Sequence, residues 1–157
     1  MHTLYELVVV RRPRSDEPLF ATGRPVTSSR TVFEMFRLWA SLLDRECFLT
    51  LYLDNKNHPI GTHMVSVGSL SASLVHPREV FKAAILTNAA AIVLIHNHPS
   101  GSPVPSAEDR RITTRLREAG ELVGITVLDH VIVGDEDFYS FADAGWTHAE
   151  VRANGGA

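Results

Sequence analysis

The apolar run Ala90–Ile95 leads without a break into the polar sequence His-Asn-His-Pro. A short run with no polar position is typical of a strand that is buried on both faces. Such a strand must have packed layers on either side of it, which is the arrangement of an α/β domain. The run therefore predicts the central strand of a sheet, with polar side chains gathered at its carboxyl end.

The rest of the chain contains segments with helical or strand periodicity. Apolar spacing predicts three helices, at Thr31–Leu43, from Pro77 to about Asn88, and at Ser106–Ala119 with Gly120 as the stop. Alternation and β-branched residues predict further strands, at Tyr5–Val10, Cys47–Leu53, Ile60–Val67, Ile125–Val133 and Phe138–Phe141. These elements predict an α/β fold, in which flanking helices pack on a mixed, mostly antiparallel sheet.

The chain has 157 residues, of which 45% are apolar and 21% charged, and this suits one globular domain. We expect an N-terminal strand and loop extension over residues 1–24, a domain over residues 25–150 and a disordered tail over residues 151–157. A cluster of arginines lies within the extension and is expected to form a solvated loop: Arg11, Arg12 and Arg14.

Charge and cysteine content limit the class of protein. The formal net charge is −3, so the overall charge does not favour tight binding to a polyanion such as a nucleic acid. Cys47 is the single cysteine, so no intrachain disulfide can form and a reducing cytoplasm is favoured. No apolar run reaches the roughly 18 residues that a membrane helix needs, and the N-terminus has no signal-peptide pattern. We therefore expect a cytoplasmic protein with no membrane contact.

His96, His98 and Asp109 form the most informative pattern of the sequence. Side chains two apart in a strand point to the same face, so the two imidazoles can share one ion. Asp109 falls in the first turn of the next helix, whose start can lie beside the strand end. Two histidines and one carboxylate, with a fourth position left to water, are typical of a catalytic zinc site that holds one ion per chain.

A purely structural interpretation of the same residues is also open. The histidines could be polar residues at a strand end, and the Ser106–Asp109 spacing is close to that of a helix capping box. The two interpretations are compatible for Asp109, because a cap would fix the direction of its carboxylate.

The spacing of His96, His98, Ser106 and Asp109 resembles the motif of the JAB/MPN (JAMM) metalloprotease superfamily. The sequence over roughly residues 42–146 is similar to the RadC-like group. The segments that carry the similarity are HPREVFKAAILTNAAAIVLIHNHPSG, the overlapping HNHPSGSPVPSAEDRRIT and, after them, VLDHVIVG. The resemblance implies a single JAB/MPN-like, cytidine-deaminase-like domain.

The resemblance also implies roles for two further residues. Glu46 matches the family's general base, which the residues alone could not separate from three acidic rivals: Glu34, Asp44 and Glu79. Ser106 matches the hydrogen-bond donor to the developing oxyanion. The implied activity is that of a zinc-dependent hydrolase, a metallopeptidase or isopeptidase that cleaves an amide bond with metal-activated water.

Partners and alternative functions follow from the same comparison. The expected substrate is a peptide or a protein. Asn97, between the two histidines, fits the RadC-like group, whereas the deubiquitinating members of the superfamily usually have Ser or Thr there. A ubiquitin-like substrate is therefore not expected. One alternative is a DNA-associated protein with a repair or nuclease-like role, and the other is a catalytically silent interaction module. The candidate DNA-binding face consists of four arginines on the helix after Asp109: Arg110, Arg111, Arg115 and Arg117. We expect no N-terminal helix-hairpin-helix module, which weakens the DNA alternative, and exposed sheet edges make a homodimer plausible.

The remaining histidines have no partner at ligand spacing and are expected to be surface or satisfied polar residues: His58, His63, His76, His130 and His148. Asp129 and His130 lie in a strand that should pack near the site. Either could orient a ligand imidazole, although the sequence favours slightly the interpretation that neither does.

Overall fold

The computed structural model describes residues 24–68 and 75–146. The predicted strand at Tyr5–Val10, the arginine cluster of the extension and the predicted tail lie outside these residues. Within them, the chain forms three helices, α1 (Ser29–Ser41), α2 (Pro77–Leu86) and α3 (Ala107–Val123). It also forms five strands, β1 (Cys47–Leu53), β2 (Pro59–Val67), β3 (Ala91–Asn97), β4 (Thr126–Val133) and β5 (Phe138–Ser140).

The five strands form one open sheet in the order β2-β1-β3-β4-β5. Strand β3 lies at its centre, antiparallel to β1 and parallel to β4, while the two outer pairs are antiparallel. Every residue of β3 is buried. The prediction of a mixed, mostly antiparallel sheet around a doubly buried central strand is therefore confirmed.

Helices cover both faces of the sheet, and the alternation of β3 shows how. Val93 and Ile95 belong to a core cluster beneath α1, whereas Ile92 and Leu94 belong to a second cluster beneath α2 and α3. Successive strand side chains point to opposite faces, so one apolar strand contributes to two hydrophobic layers. This double coverage explains why the run carries no polar residue before His96.

Helix α3 is one turn longer than the sequence predicted, so the assignment of Gly120 as its stop is wrong. Gly120 lies inside the helix, where an added Cβ would come within 2.6 Å of the Ile125 carbonyl oxygen. Gly124 is the residue that ends the helix, with φ of 74° in the left-handed region. Both glycines are required by the fold, but Gly120 is required for a close backbone approach and Gly124 for its conformation.

The strand directions bring separate segments together at the end of the sheet where β3 finishes. Because β1 runs antiparallel to β3, Phe48 near the start of β1 pairs with His96 near the end of β3. Glu46, the residue before β1, is therefore a neighbour of the polar residues at the end of β3. The loop after β3 leads into α3, which begins at the same end of the sheet. Among the described residues, no helix has the length and apolar character needed to cross a membrane.

Candidate metal centre

Four polar side chains converge at the carboxyl end of β3. His96 is on the strand and His98 follows it, while Asp109 lies in the first turn of α3 and Glu46 directly precedes β1. One ligand atom from each side chain lies within 4.8 Å of all the others. The structure thus brings together the three predicted ligands and the candidate general base, although they are up to 63 positions apart in the sequence (109 − 46).

The two histidines face each other through their Nε2 atoms, which are 2.8 Å apart. The Nδ1 atom of His98 lies 2.7 Å from the carbonyl oxygen of Ser102, which can only accept, so Nδ1 carries the proton. In a neutral His98 ring, Nε2 then presents a lone pair. Lone pairs this close repel unless a proton or a metal ion lies between them.

Protonation of the two rings is governed by their surroundings. Burial lowers the pKa of His96 well below its ordinary value. A contact with Asp109 raises the pKa of His98 against the opposing effect of partial burial. His98 is therefore the ring that takes up a proton more readily, and a bound cation would compete with that proton.

Asp109 is held as an anion although it is almost completely buried. Burial acts to raise the pKa of this carboxyl, but contacts with His98 and His96 and hydrogen bonds from Ser106 together hold it below the usual range. Oδ1 lies 3.3 Å from His96 Nε2, and Oδ2 lies 3.5 Å from His98 Nε2. A buried anion beside two imidazoles is suited to a divalent cation.

The start of α3 fixes the direction of the Asp109 carboxylate. Oδ2 accepts hydrogen bonds from the backbone N–H of Ser106 at 2.6 Å and from its hydroxyl at 2.7 Å, and Ser106 Oγ accepts from the Asp109 N–H at 3.1 Å. This is the reciprocal capping box that the spacing suggested. The hydroxyl of Ser106 thus points toward Asp109 in this structure, at an exposed position beside the cluster.

Glu46 lies slightly farther out than the other three side chains. Its Oε1 atom is 3.7 Å from Nε2 of both histidines, and its side chain is 27% exposed, compared with 2% for Asp109. Glu34, Asp44 and Glu79, its rivals from the sequence, do not belong to the cluster. Glu46 therefore lies at the mouth of the site, where solvent or a substrate can reach it.

The distances fit a small tetrahedral ion. Bonds of about 2.0–2.1 Å to N and O ligands give about 3.3 Å between neighbouring ligand atoms. The two His–Asp distances, 3.3 Å from His96 to Oδ1 and 3.5 Å from His98 to Oδ2, are close to this value but involve different carboxylate oxygens. The His–His distance of 2.8 Å is shorter than this value and needs a small opening. His96, His98 and Asp109 could thus hold a metal ion once one Asp109 oxygen turns toward both rings, with Glu46 beside them.

The sequence slightly favoured the interpretation that His130 does not orient a ligand imidazole, but the structure places its ring against His96. The His130 ring is fully buried in β4, and its Nε2 atom lies 2.9 Å from Nδ1 of His96. Burial lowers the pKa of His130 to about 3, so the ring is neutral near neutral pH. Asp129 is not part of this contact, since its carboxylate accepts from Ser140 and from the Ala142 N–H instead.

One sequence signal could have identified His130. It precedes the apolar residues Val131, Ile132 and Val133 in a strand predicted to lie beside the central one. A histidine at a buried strand position needs a polar partner. Three other histidines lie away from the cluster, namely His58, His63 and His76, and His148 lies outside the described residues.

Comparison with known proteins agrees with the geometry. The family model described as a RadC-like JAB domain matches residues 26–146. A UPF0758 protein of Geotalea uraniireducens is 56% identical over 119 residues, which are 76% of this chain and 52% of that relative. UPF0758 proteins of Desulfitobacterium hafniense and Methanosarcina mazei are 48% and 46% identical over 86% and 78% of this chain.

The match covers only part of those relatives. It accounts for 59% of the Desulfitobacterium protein and 54% of the Methanosarcina protein, so the chain spans little more than half the length of the curated relatives it matches. The matched region contains the whole cluster from Glu46 to Asp109 and the β4 histidine that contacts it. This chain belongs to the RadC-like JAB domain family.

Proposed function

We propose that the chain is a zinc-dependent hydrolase, a metallopeptidase or isopeptidase of the JAB type that cleaves an amide bond. The observation that carries the proposal is the convergence of Glu46, His96, His98 and Asp109 within 4.8 Å. Two imidazoles and one carboxylate form the ligand set of a catalytic rather than a closed structural zinc site. The fourth side chain is an acid at the solvent-facing side of the cluster.

Each residue has a distinct part in this proposal. His96, His98 and Asp109 would hold the ion, which when bound supplies a Lewis acid that activates water and polarises a carbonyl. Glu46 would take a proton from the attacking water and return it to the leaving amine. Ser106 would turn its hydroxyl from Asp109 to the developing oxyanion, a contribution of about 3 kcal/mol in comparable sites.

Zinc content and turnover test the proposal separately. Elemental analysis should find one zinc per chain in the wild type and much less in Asp109→Ala. Glu46→Gln should retain zinc but lose hydrolysis of peptide and conjugated-protein substrates by at least about 100-fold, the scale of a general base. Asp44→Asn is the matched control, since Asp44 is exposed and pairs with Arg45 instead of the cluster.

Two results would contradict the proposal in different ways. A wild type that stays free of zinc after supplementation would favour the silent interaction module. Unchanged turnover in Glu46→Gln would remove Glu46 as the base but leave the metal site intact. Because elemental analysis measures zinc content without a substrate, the first result does not depend on knowing the substrate.

A DNA-associated role is the second candidate, and one surface feature favours it. Arg110, Arg111 and Arg115 line a shallow pocket on α3 beside Thr114 and Glu118. Arg117, which the sequence grouped with them, is mostly buried and stacks 3.7 Å from the Trp146 ring, so it does not belong to this face. Salt-sensitive DNA binding that is lost on charge reversal of Arg111 and Arg115 would support this role, and no binding at low salt would remove it.

The expected partners and compartment stay predictions. A peptide or protein substrate follows from the proposed chemistry, and a homodimer would pair exposed edges of the sheet, such as β2. The cytoplasm remains the expected compartment because Cys47, the single cysteine, is buried and free.

A further inference from the structure

We propose that Thr113 and His130 are positioning residues that lock the His96 ring in the tautomer whose Nε2 lone pair faces the metal site. The inference rests on the proposed function, since it explains how one of the proposed ligands is held. A metal-binding histidine commonly donates its second ring N–H to a neighbouring acceptor, which fixes both its tautomer and its orientation. In this chain the acceptor would be another histidine ring.

The contacts form a continuous chain of hydrogen bonds from a helix carbonyl to the metal site. The Thr113 hydroxyl donates to the backbone carbonyl of Asp109, and Thr113 Oγ1 lies 2.6 Å from His130 Nδ1. His130 Nε2 lies 2.9 Å from His96 Nδ1. This series of hydrogen bonds ends at His96 Nε2, which faces Asp109 Oδ1 at 3.3 Å.

The Asp109 carbonyl sets the direction of every bond in this chain. A carbonyl can only accept, so the single hydroxyl proton of Thr113 is used on it. Thr113 Oγ1 must then accept from Nδ1–H of His130. A neutral imidazole has one N–H, so His130 Nε2 accepts in turn from Nδ1–H of His96. His96 Nε2 is left without a proton.

The reverse direction would have the opposite effect on the site. If Thr113 donated to His130 Nδ1, then Nε2–H of His130 would donate to His96 Nδ1. The His96 proton would then lie on Nε2, where it would block a metal ion. The two arrangements differ only in proton positions, so the anchoring bond to the Asp109 carbonyl decides whether His96 can act as a ligand.

The surroundings exclude water from these hydrogen bonds and restrict rotation of the two histidine rings. His96, Thr113 and His130 are all fully buried. The His130 ring stacks on Phe141 with 7° between the planes and a centroid distance of 5.0 Å, and Phe48 stacks against the His96 ring. The ring planes are therefore held by aromatic packing, and solvent cannot replace a missing partner.

Zinc affinity of two Thr113 variants tests the role of the hydroxyl. Thr113→Val has nearly the same shape but no hydroxyl, and its zinc affinity should fall about 10- to 100-fold in competition with a chromophoric chelator. Thr113→Ser restores the hydroxyl and should bind zinc within about threefold of the wild type. Equal affinity in Thr113→Val, or equal losses in both variants, would overturn the proposal.

The tautomers themselves can be read in the metal-free wild type, which needs no variant and no substrate. Ring ¹⁵N chemical shifts should show Nδ1–H and an unprotonated Nε2 for both His130 and His96. An Nε2–H tautomer at His130 would overturn the proposed direction. A wild type that binds no zinc would contradict the proposed function, whereas the ring shifts would still decide whether the locked tautomer exists.

Discussion

Asn97 holds the backbone on both sides of Glu46. Its Oδ1 atom accepts from the Cys47 N–H at 2.8 Å, and its Nδ2 atom donates to the Arg45 carbonyl at 3.0 Å. The residue between the two histidines thus points away from them and across to β1. One strand end therefore supplies two candidate ligands and also fixes the segment that carries the candidate base.

Asn97→Ala should lower turnover much more than zinc content. The substitution frees the segment around Glu46 and leaves a buried N–H without its partner, so the free energy of unfolding should fall by about 1–3 kcal/mol. Denaturant unfolding, elemental analysis and substrate turnover measure the three effects. Asn55→Ala, at an exposed turn position, is the control. Wild-type turnover in Asn97→Ala would show that the two hydrogen bonds of Asn97 do not position Glu46.

Substitutions of Ser106 can separate its cap from its proposed chemistry. Ser106→Ala should cost about 1 kcal/mol of stability, whereas Ser106→Gly should cost only a few tenths, because glycine is tolerated at N-caps. Both variants lack the hydroxyl, so both should lose the same factor in kcat if Ser106 stabilises the oxyanion. If kcat instead follows thermal stability across the two variants, Ser106 is a cap only.

Gly120→Ala should destabilise the protein although alanine is the better helix former. The helix propensity of alanine favours the variant by about 1 kcal/mol. Against this, the new Cβ would lie 2.6 Å from the Ile125 carbonyl oxygen, a backbone atom that cannot move alone. We expect a net loss of about 1–3 kcal/mol in denaturant unfolding, typical of overpacking. A gain in stability would mean that the α3–β4 turn adapts freely.

Asp54 should make stability depend on pH at the β1–β2 turn. Hydrogen bonds from the backbone N–H groups of His58 and Lys56, at 2.9 and 2.8 Å, hold its pKa below the ordinary 3.8 in the folded state. A lowered carboxyl pKa stabilises the folded state above pH 3.8, and this stabilisation is lost as the pH falls through the folded-state pKa.

Asp54→Asn keeps the acceptor oxygen but removes the charge. Its free energy of unfolding should be lower than that of the wild type at pH 7, and the difference should shrink as the pH falls below about 4. Parallel urea titrations at several pH values measure this difference. A gap between the two proteins that is constant down to pH 2 would show that the charge of Asp54 contributes nothing at the turn.

The sequence by itself determined the architecture and the identity of the candidate ligands. The apolar run before His96 required a strand covered on both faces, and the structure places its side chains alternately in two core clusters. The pair of histidines two positions apart and the capped start of α3 were readable because local spacing sets their direction. In the part of the chain that the structure describes, helix and strand ends were correct to within a few residues except at Gly120.

Only the tertiary structure decided which distant residues complete the site. Glu46 reaches the histidines because β1 runs antiparallel to β3, and His130 reaches His96 because β4 lies on the other side of the same strand. The apolar residues after His130 mark it as a buried polar residue but do not say which side chain it meets, and Glu46 has no local signal of its own. Strand order decides both contacts, and it depends on packing across the whole sheet. Gly120 was misread for the same reason: its contact with Ile125 comes from how α3 packs against the start of β4, which residue spacing does not encode.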